Sequence, residues 1–311
     1  TQALELNTLP SSAVIIGAGA VALEFASLWN AAGCEVTLLI RKDRVLSTWE
    51  RRASMTLTRE LKRRGVNVIA RTAVDRVDTG ANLGATVHYR QGDSDEDRTA
   101  YGEVVLAAIG RVPNTDADWF RSSGLKLDER GYVTVDGYGR TNLDGVWALG
   151  DITPGHALAH RAFEQGITIA EKIAGADPKP VLDDTVPQVV FSFPEAASVG
   201  LTLDQAKARE DVVEPKETAY PMLSNARMLM SGEGGSMTVV SGAFANNPDM
   251  QVVLGVHIVS PIASDLIAEA EQLVGNRVPL ADAARLIHPH PTFSETLGEA
   301  LLKADGRPLH T

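Results

Sequence analysis

The sequence predicts an α/β protein in which a parallel sheet comes first and an α+β domain comes last. Between residues 13 and 69, short apolar runs alternate with stretches of helical periodicity. This βαβαβ alternation is typical of a parallel sheet with helical crossovers. Beyond residue 180, four predicted strands are interspersed with three predicted helices, and we interpret that region as an α+β domain.

The elements of the first part are predicted from apolar runs and from helical spacing. The apolar runs predict buried strands at residues 13–16, 36–40 and 66–69. Apolar residues at helical spacing predict helices at residues 20–32 and 51–64, each followed by a glycine. Short alternating segments predict an antiparallel meander around residues 75–77, 86–89 and 98–101. Residues 104–107 then return to the parallel sheet.

After Trp119, turns and short segments replace the regular alternation. We predict a buried strand at residues 145–149 and a helix at 158–173, and we interpret residues 177–180 as a linker because they contain two prolines. Further strands are predicted near residues 189–193, 212–218, 237–243 and 252–259. These changes predict three domains, with boundaries at residues 1–118, 119–180 and 181–311.

The composition excludes several classes of function. The chain has 311 residues, of which 44% are hydrophobic and 22% charged, and no apolar run reaches the about 18 residues of a membrane helix. The net charge of −11 argues against binding to nucleic acid or to an anionic membrane. The single cysteine, Cys34, excludes an internal disulfide framework and a metal site built on several thiolates. We therefore expect a cytoplasmic protein without a metal centre.

A GxGxxA motif lies between the first predicted strand and the first predicted helix, at residues 17–22. Gly17 permits a tight turn, Gly19 lets a pyrophosphate approach the backbone, and Ala22 lets the helix pack on the strand. The N–H groups at the helix start then face the phosphates. We predict that a dinucleotide binds along the motif, at Gly17, Ala18, Gly19, Ala20 and Val21. The alternative is a glycine turn without a ligand.

The end of the second predicted strand bears on the choice between NAD and NADP. An acidic residue there binds the ribose 2′-OH of NAD, whereas a cation accommodates the 2′-phosphate of NADP. The position is Ile40, followed by Arg41, and residues 41–64 carry nine Lys or Arg against three Asp or Glu. We predict that Ile40 and Arg41 border the ribose, with Arg41 contacting a phosphate and Arg44 able to help. The other basic side chains are interpreted as a solvated helix face.

Two later segments end in glycine at the predicted carboxyl edge of a sheet. One is 106–110, which ends in Gly110, and the other is 145–150, which Asp151 follows. Open α/β sheets bind ligands at that edge. Asp151 could therefore accept hydrogen bonds from sugar-like hydroxyls, or it could cap a turn.

Near the C-terminus, His290 precedes Glu295 by five residues with a proline between them. This spacing allows the carboxylate to fix the imidazole tautomer and raise its basicity, as in a general acid/base pair. Two other interpretations stay open. Residues 292–295 match a capping box, in which Glu295 reaches back to a backbone N–H, and His288 with His290 resembles part of a metal site.

Together these motifs resemble the class I pyridine nucleotide-disulfide oxidoreductases, most closely the dihydrolipoamide dehydrogenases. The residues that carry the resemblance are the GxGxxA unit with Glu24, Ala-Ile-Gly-Arg-Val-Pro-Asn at 108–114, Gly-Asp at 150–151, Leu-Ala-His at 158–160, Pro-Glu-Ala-Ala-Ser-Val-Gly-Leu-Thr at 194–202, and His-Pro-His-Pro-Thr-Phe-Ser-Glu at 288–295. The resemblance implies a Rossmann-like NAD(P)-binding domain, the remainder of an FAD-binding domain and a C-terminal α+β dimerisation domain.

The resemblance also implies roles for individual residues. Asp151 would hold the ribityl chain of FAD, and backbone N–H groups of Leu158, Ala159 and His160 would face the flavin pyrimidine. Gly110 and Glu24 would lie near the nicotinamide. His290, held by Glu295, would be the base that deprotonates a dithiol substrate, acting in a homodimer on the partner's flavin. The implied reaction oxidises dihydrolipoamide, or another small dithiol, with NAD(P)+.

The sequence departs from the family pattern at two points, which bear on the activity expected of this chain and on its choice between NAD and NADP. The family begins with a first GxGxxG for FAD and a Cys-x4-Cys redox pair, neither of which occurs in this sequence. The expectation is that the chain is the C-terminal two-thirds of a longer enzyme, inactive and poor at holding FAD by itself. The second departure is Ile40-Arg41, which resembles NADP-using relatives. The alternatives are an NADPH-dependent disulfide or quinone reductase of the same family, or a non-catalytic nucleotide-binding dimer.

Overall fold

The computed structural model describes residues 2–79 and 84–310. Tertiary contacts divide the chain into two compact units. One unit contains the residues up to Gly110 together with those from Val189 onward, and the other is Arg111–Gln188. Among the residues described, no helix is long and apolar enough to cross a membrane.

The first unit contains three sheets. Its strands in chain order are β1 Ser12–Ile16, β2 Glu35–Ile40, β3 Asn67–Ala70, β4 Thr72–Thr79, β5 Ala85–Gln91, β6 Arg98–Gly102 and β7 Val104–Ala107, followed by β8 Gln188–Val190, β9 Glu195–Gly200, β10 Val212–Tyr220, β11 Ser236–Phe244 and β12 Asn247–Ser260. β1, β2, β3 and β7 form a parallel sheet in the order β3-β2-β1-β7. The antiparallel meander is β4-β5-β6, and the third sheet has the order β10-β11-β12-β9-β8.

The helices in chain order are α1 Ala20–Ala31, α2 Arg51–Arg63, α3 Asp118–Ser122, α4 Ala159–Ile173, α5 Leu203–Ala208, α6 Ala226–Ser231, α7 Ala263–Gly275, α8 Leu280–Ala283 and α9 Glu295–Ala304. α1 buries Ala22, Leu23, Ala26 and Trp29. These side chains join the apolar residues of β1 and β2 in one core. A second core lies between the five-stranded sheet and the helices α7 and α9.

The predicted fold class is confirmed: a parallel sheet with helical crossovers comes first, and an α+β domain comes last. The antiparallel meander is also confirmed. Beyond residue 180 the described residues form five helices, two more than predicted, and three of the five, α5, α6 and α8, are short. They have only 6, 6 and 4 residues, too few for a helical period to be visible in the sequence.

The prediction of a buried strand at residues 145–149 is wrong. In this segment only Trp147 pairs, in an isolated bridge with Arg140, and the Val146 and Leu149 side chains are each 38% exposed. The Thr141 amide bonds the Val146 carbonyl, and Gly145 has a φ of +72°. The backbone therefore reverses at residues 142–145, before the apolar run, and the run pairs only with residues 139–141, through the Trp147 bridge and a bond from the Ala148 amide to the Gly139 carbonyl. It is one arm of a short hairpin rather than a buried strand.

Candidate functional site

The GxGxxA turn connects β1 to α1, as the motif requires. Gly17 has a φ of +140°, and a Cβ atom at this position would collide with the carbonyl oxygen of Ala108. Gly19 precedes α1 in an extended conformation, and no atom lies within 4 Å of a Cβ built there. The first glycine is thus required by close packing of the chain, whereas the second leaves open space beside the start of a helix. This cradle fits a phosphate group.

Gly110 lies at the same edge of the parallel sheet. β7 pairs with β1 so that Ala107 is opposite Ile16, and both strands therefore end side by side. Gly110 has a φ of +137°, with no atom within 4 Å of a Cβ built on it. The structure thus brings the GxGxxA turn and the segment 106–110 to one edge of the sheet, although about 90 residues of sequence separate them.

The end of β2 presents a buried apolar side chain and an exposed cation. Ile40 has no exposed side-chain surface and belongs to the core under the sheet. Only its backbone reaches the edge, where its carbonyl accepts a bond from Thr72. Arg41 is the next residue and is exposed. A ligand at the end of β2 could therefore contact the side chain of Arg41 but not that of Ile40.

Arg44 is already engaged within its own loop. Its guanidinium donates to Asp43 over 2.9 Å and to the Ser47 carbonyl over 3.2 Å. Together with α2 this loop borders a basic depression of about 310 Å³, lined by Asp43, Arg44, Arg51, Met55, Thr58, Arg59 and Lys62. Part of the basic face of α2, predicted to be merely solvated, thus borders a concave surface.

Glu24 is half-buried on α1 and has a defined partner. Its Oε1 accepts a hydrogen bond of 3.1 Å from the Phe191 amide. Ser27, one turn further along α1, accepts a bond from the Phe193 amide over 3.1 Å. These two bonds connect α1 to the segment that follows β8.

In the second unit, the predicted flavin residues lie on a short turn and at the start of α4. Asp151 is exposed in the 3₁₀ turn Gly150–Ile152. Leu158 precedes α4 in an extended conformation without a side-chain cap. Its own amide donates to the His156 carbonyl over 3.0 Å, so the N–H groups that remain available are those of the first helical turn. Ala159 and His160 form the first turn, and Nε2 of His160 lies 2.7 Å from the Pro187 carbonyl.

Two residues that sequence reasoning missed hold this arrangement. The buried Arg161 donates to Asp183 and to the Pro154 carbonyl, both over 2.6 Å. Gln165 accepts a hydrogen bond of 2.9 Å from the Gly150 amide. The two lie four residues apart on α4, as residues on one helix face do. That spacing is the only local signal that could have linked them to the turn.

The His290–Glu295 pair forms as predicted. Nδ1 of His290 lies 2.8 Å from Oε1 of Glu295, and Oε2 of Glu295 accepts a bond of 2.7 Å from the Thr292 amide. Each carboxylate oxygen thus serves one partner, the imidazole or the Thr292 amide. The full capping box is not formed, because the Thr292 hydroxyl donates to the Pro289 carbonyl and the N-cap residue of α9, Ser294, makes no side-chain cap bond. The His290 side chain is 74% exposed. Because Nδ1 is engaged, Nε2 is the nitrogen that can face a substrate.

Electrostatics keeps the Glu295 carboxyl ionised. Burial opposes ionisation, but the Thr292 amide, His290 and His288 together outweigh it, so the pKa of Glu295 is lowered. His288 bonds a different carboxylate: its Nε2 lies 2.9 Å from Oε1 of Glu269. The two histidines of the motif thus face separate acidic partners.

Cys34 has none of the features of a redox cysteine. Its side chain is buried, and burial, together with Glu103 and Glu35, raises the pKa of the thiol. The thiol form therefore dominates at neutral pH, and the thiol form is the unreactive one.

The fold and these sites define a class of protein. The sequence profile described as "Pyridine nucleotide-disulphide oxidoreductase" matches residues 1–166, and the profile of the dimerisation domain of the same family matches residues 186–301. The chain therefore belongs to the pyridine nucleotide-disulphide oxidoreductase family, which confirms the resemblance seen in the sequence. The cofactors of this family are FAD and NAD(P), as the resemblance implies.

Among individual relatives, the chain is similar to dihydrolipoyl dehydrogenases. It is 36% identical to that of Cupriavidus necator, over 99% of this chain and 63% of the relative. It is also 36% identical to that of Geobacillus stearothermophilus, over 100% of this chain and 64% of the relative. The crystal structure of LpdA from Mycobacterium tuberculosis superposes with a TM-score of 0.85 at 29% identity, over 97% of this chain and 63% of that one. The chain thus spans slightly less than two-thirds of these relatives.

Proposed function

We propose that this chain provides the nicotinamide-binding and dimer-forming parts of an FAD-dependent dithiol–disulfide oxidoreductase. The proposed reaction is dihydrolipoamide plus NAD(P)+ giving lipoamide plus NAD(P)H. The observation that carries the proposal is the 2.8 Å bond between His290 and Glu295 on an exposed loop, in a chain whose relatives include dihydrolipoyl dehydrogenases.

The nicotinamide dinucleotide is proposed to bind at the carboxyl edge of the parallel sheet. Its pyrophosphate would occupy the open space beside Gly19, with the N–H groups at the start of α1 as donors. Ala18 and Ala20 leave this approach free because they are small, and Gly17 and Val21 complete the turn. Gly110 would adjoin the nicotinamide half, since its segment ends at the same edge.

Glu24 and Arg41 are proposed to act at opposite ends of the same ligand. The half-buried Glu24 carboxylate would lie toward the nicotinamide while it holds the Phe191 amide. The exposed Arg41 would bind the phosphate or ribose at the adenosine end, beside the backbone of Ile40. A cation at this point favours NADP, whereas the dihydrolipoamide reaction is usual with NAD. The proposal therefore includes both dinucleotides.

FAD is proposed to lie against the 3₁₀ turn and the start of α4. This placement is supported by an uncapped helix N-terminus after Leu158 and by an exposed Asp151 carboxylate in the same unit. Asp151 would accept hydrogen bonds from the ribityl hydroxyls, and the N–H groups of Ala159 and His160 would bind the pyrimidine oxygens. The Leu158 amide is already bonded to the His156 carbonyl. When bound, FAD supplies two-electron transfer between the nicotinamide and a sulfur pair.

His290 is proposed to be the acid/base residue. Oxidation of a dithiol to a disulfide releases two electrons and two protons, and Nε2 of His290 would take one of these protons. Glu295 accepts the Nδ1–H, which fixes the tautomer with a free lone pair on Nε2 and stabilises the imidazolium that forms. General base catalysis of this kind is worth about 10²–10⁴-fold in rate.

We propose a homodimer because several apolar side chains within residues 181–311, the domain that contains His290, are exposed. Leu223, Leu229 and Met230 are 62%, 62% and 69% exposed, and Ile287 is 97% exposed. Apolar surface of this kind marks interaction sites. In the proposed dimer His290 would act on the sulfur chemistry of the partner subunit.

Further proposals concern the domain boundaries, the cellular location of the protein and its binding to nucleic acid. We propose domains at residues 1–118, 119–180 and 181–311, supported by the dimerisation match that begins at residue 186 and by the division of units at Gln188. A cytoplasmic setting and the absence of nucleic-acid binding are proposed from the net charge of −11.

The test is His290→Gln in the complete natural protein. We expect kcat for dihydrolipoamide oxidation to fall about 10²-fold or more, because Gln has no lone pair that can take the proton. NADH-dependent reduction of ferricyanide needs no such base and should stay within about twofold. His310→Gln is the matched control, since this histidine also pairs with a glutamate, Glu299, over 2.9 Å. An unchanged dihydrolipoamide rate in His290→Gln would favour a quinone reductase or a non-catalytic module instead.

A further inference from the structure

We propose that His288 and Glu269 are positioning residues that hold the His290 loop against α9 in the geometry needed for proton transfer. This inference rests on the proposed role of His290. It concerns a second imidazole–carboxylate pair, which differs from the first in being formed by distant parts of the chain.

The pair connects two separate elements. Nε2 of His288 lies 2.9 Å from Oε1 of Glu269, and the two residues are 19 positions apart. Glu269 lies on α7, whereas His288 lies in the loop between α8 and α9. Only 9% of the His288 side chain is exposed, compared with 74% for His290. His288 is thus a buried anchor two residues before an exposed reactive group.

The His288 ring also packs on the backbone of α9. A Cβ atom at Gly298 would come within 2.5 Å of Nδ1 and 2.9 Å of Cε1 of His288. Gly298 is buried and lies three residues after Glu295 on the same helix. The absence of a side chain at this position therefore lets the ring lie directly against the helix that carries the carboxylate partner of His290.

Between the anchor and the reactive group the backbone has little freedom. The residues that flank His290 are Pro289 and Pro291, and a proline ring restricts φ to about −65°. The Thr292 hydroxyl closes the loop with a bond of 2.7 Å to the Pro289 carbonyl. A displacement of His288 would therefore be transmitted to His290 rather than absorbed by the loop.

Charge supports the same arrangement. The hydrogen bond to Glu269 raises the pKa of His288, and the nearby Glu295 carboxylate adds to this effect. The cationic form of His288 in turn contributes to keeping Glu295 ionised. Glu295 has to remain an anion with two free acceptor oxygens because it serves both His290 and the Thr292 amide.

The experiment compares three substitutions in the complete natural protein. His288→Ala removes the anchor, and we expect kcat for dihydrolipoamide oxidation to fall about tenfold or more, with the KM for NAD(P)+ within about twofold. His288→Gln keeps a donor near the Nε2 position and should retain kcat within about threefold. His310→Ala is the matched control and should behave as wild type, because its 67% exposed side chain pairs with Glu299 and with neither His290 nor Glu295. NADH-dependent ferricyanide reduction should not change in any of the three.

Two outcomes overturn the inference while leaving the proposed function intact. One is a wild-type kcat in His288→Ala when His290→Gln is impaired. The other is an equal loss of ferricyanide reduction, which indicates general damage to the fold. If His290→Gln itself has wild-type activity, the proposed function fails, and this inference fails with it.

A second variant keeps the test decisive if His288→Ala does not fold. Gly298→Ala retains His288 but places a methyl group where the ring lies, and it should lower kcat by a similar factor. Where His288→Ala does fold, the double variant gives the methyl group room, and its kcat should be no lower than that of His288→Ala alone. Wild-type kcat in Gly298→Ala would contradict the inference, and so would losses that simply multiply in the double variant.

Discussion

The edge of the parallel sheet and the His290 loop are two sites built in opposite ways. At the sheet edge the chain leaves space: Gly17 and Gly19 omit side chains, and the groups offered to a ligand are backbone N–H groups. At the His290 loop the chain supplies side chains, each held by a second one, as Glu295 holds His290. The first site is therefore sensitive chiefly to added atoms and the second to the loss of a hydrogen-bonding side chain, with Gly298 as the one position of the second site where an added methyl group is also expected to cause damage.

The largest expected effect comes from adding atoms at Gly17. Gly17→Val places a side chain against the Ala108 carbonyl at a φ of +140°, a conformation that is almost exclusive to glycine. We expect a loss of about 3 kcal/mol or more in the free energy of unfolding, measured by urea denaturation.

Gly19→Ala is the matched control for Gly17→Val. Its φ is −90°, and the added methyl group meets no atom within 4 Å, so stability should change by less than about 1 kcal/mol. Dinucleotide binding, measured by calorimetry, should nevertheless weaken about tenfold. Equal losses of stability in the two variants would contradict the distinction between a packing glycine and a binding glycine.

The next effect comes from removing one acceptor at Glu295. Glu295→Gln leaves one side-chain oxygen where two partners, His290 and the Thr292 amide, each need an acceptor. We expect kcat for dihydrolipoamide oxidation to fall about 10²-fold, while ferricyanide reduction stays unchanged. A loss of less than about twofold would show that Glu295 serves only to cap the helix.

A buried histidine adds a pH dependence to the same domain. His257 has no exposed surface, lies 2.7 Å from the Ser198 hydroxyl, and has its pKa lowered mainly by burial. Below the pKa of about 6.5 that histidine has in the unfolded chain, unfolding takes up a proton, so stability falls as pH falls.

Above a pH of about 6.5, we expect the neutral His257 to cause no loss in the free energy of unfolding. Below that pH, the free energy of unfolding should decline by up to about 1.4 kcal/mol per pH unit. The measurement is urea denaturation between pH 7.5 and 5, compared with His257→Gln, in which the slope should be shallower by this amount. His310→Gln should keep the wild-type slope because its side chain is 67% exposed. Identical slopes in wild type and His257→Gln would contradict a neutral His257.

The smallest effect is expected at the exposed Arg41. Arg41→Gln removes the cation next to Ile40, and we expect NADP+ affinity to fall about fivefold while NAD+ affinity changes less than twofold, because an exposed charge pair is worth little. The two affinities are measured by calorimetry. A loss that is equal for both dinucleotides would place Arg41 away from the 2′-phosphate.

The fold was largely predictable, since each of the early elements depends on a local pattern. The strand at β1, the helix α1 and the meander follow from runs and periods of a few residues. Residues 145–149 contradict this rule: their apolar run resembles a buried strand, but it pairs only with residues 139–141 across a tight turn, and Val146 and Leu149 stay partly exposed. Of the candidate site, the His290–Glu295 pair was predictable because its members are only five residues apart.

By itself, the sequence determined the order of elements, the glycine turn and the two partners of the His290–Glu295 hydrogen bond, because these depend on neighbours along the chain. The tertiary structure alone decided that Ala108 makes Gly17 indispensable, that Ile40 points into the core, and that Glu269 holds His288. These contacts join residues from different elements. Their existence depends on how strands and helices pack, which no local period or spacing encodes.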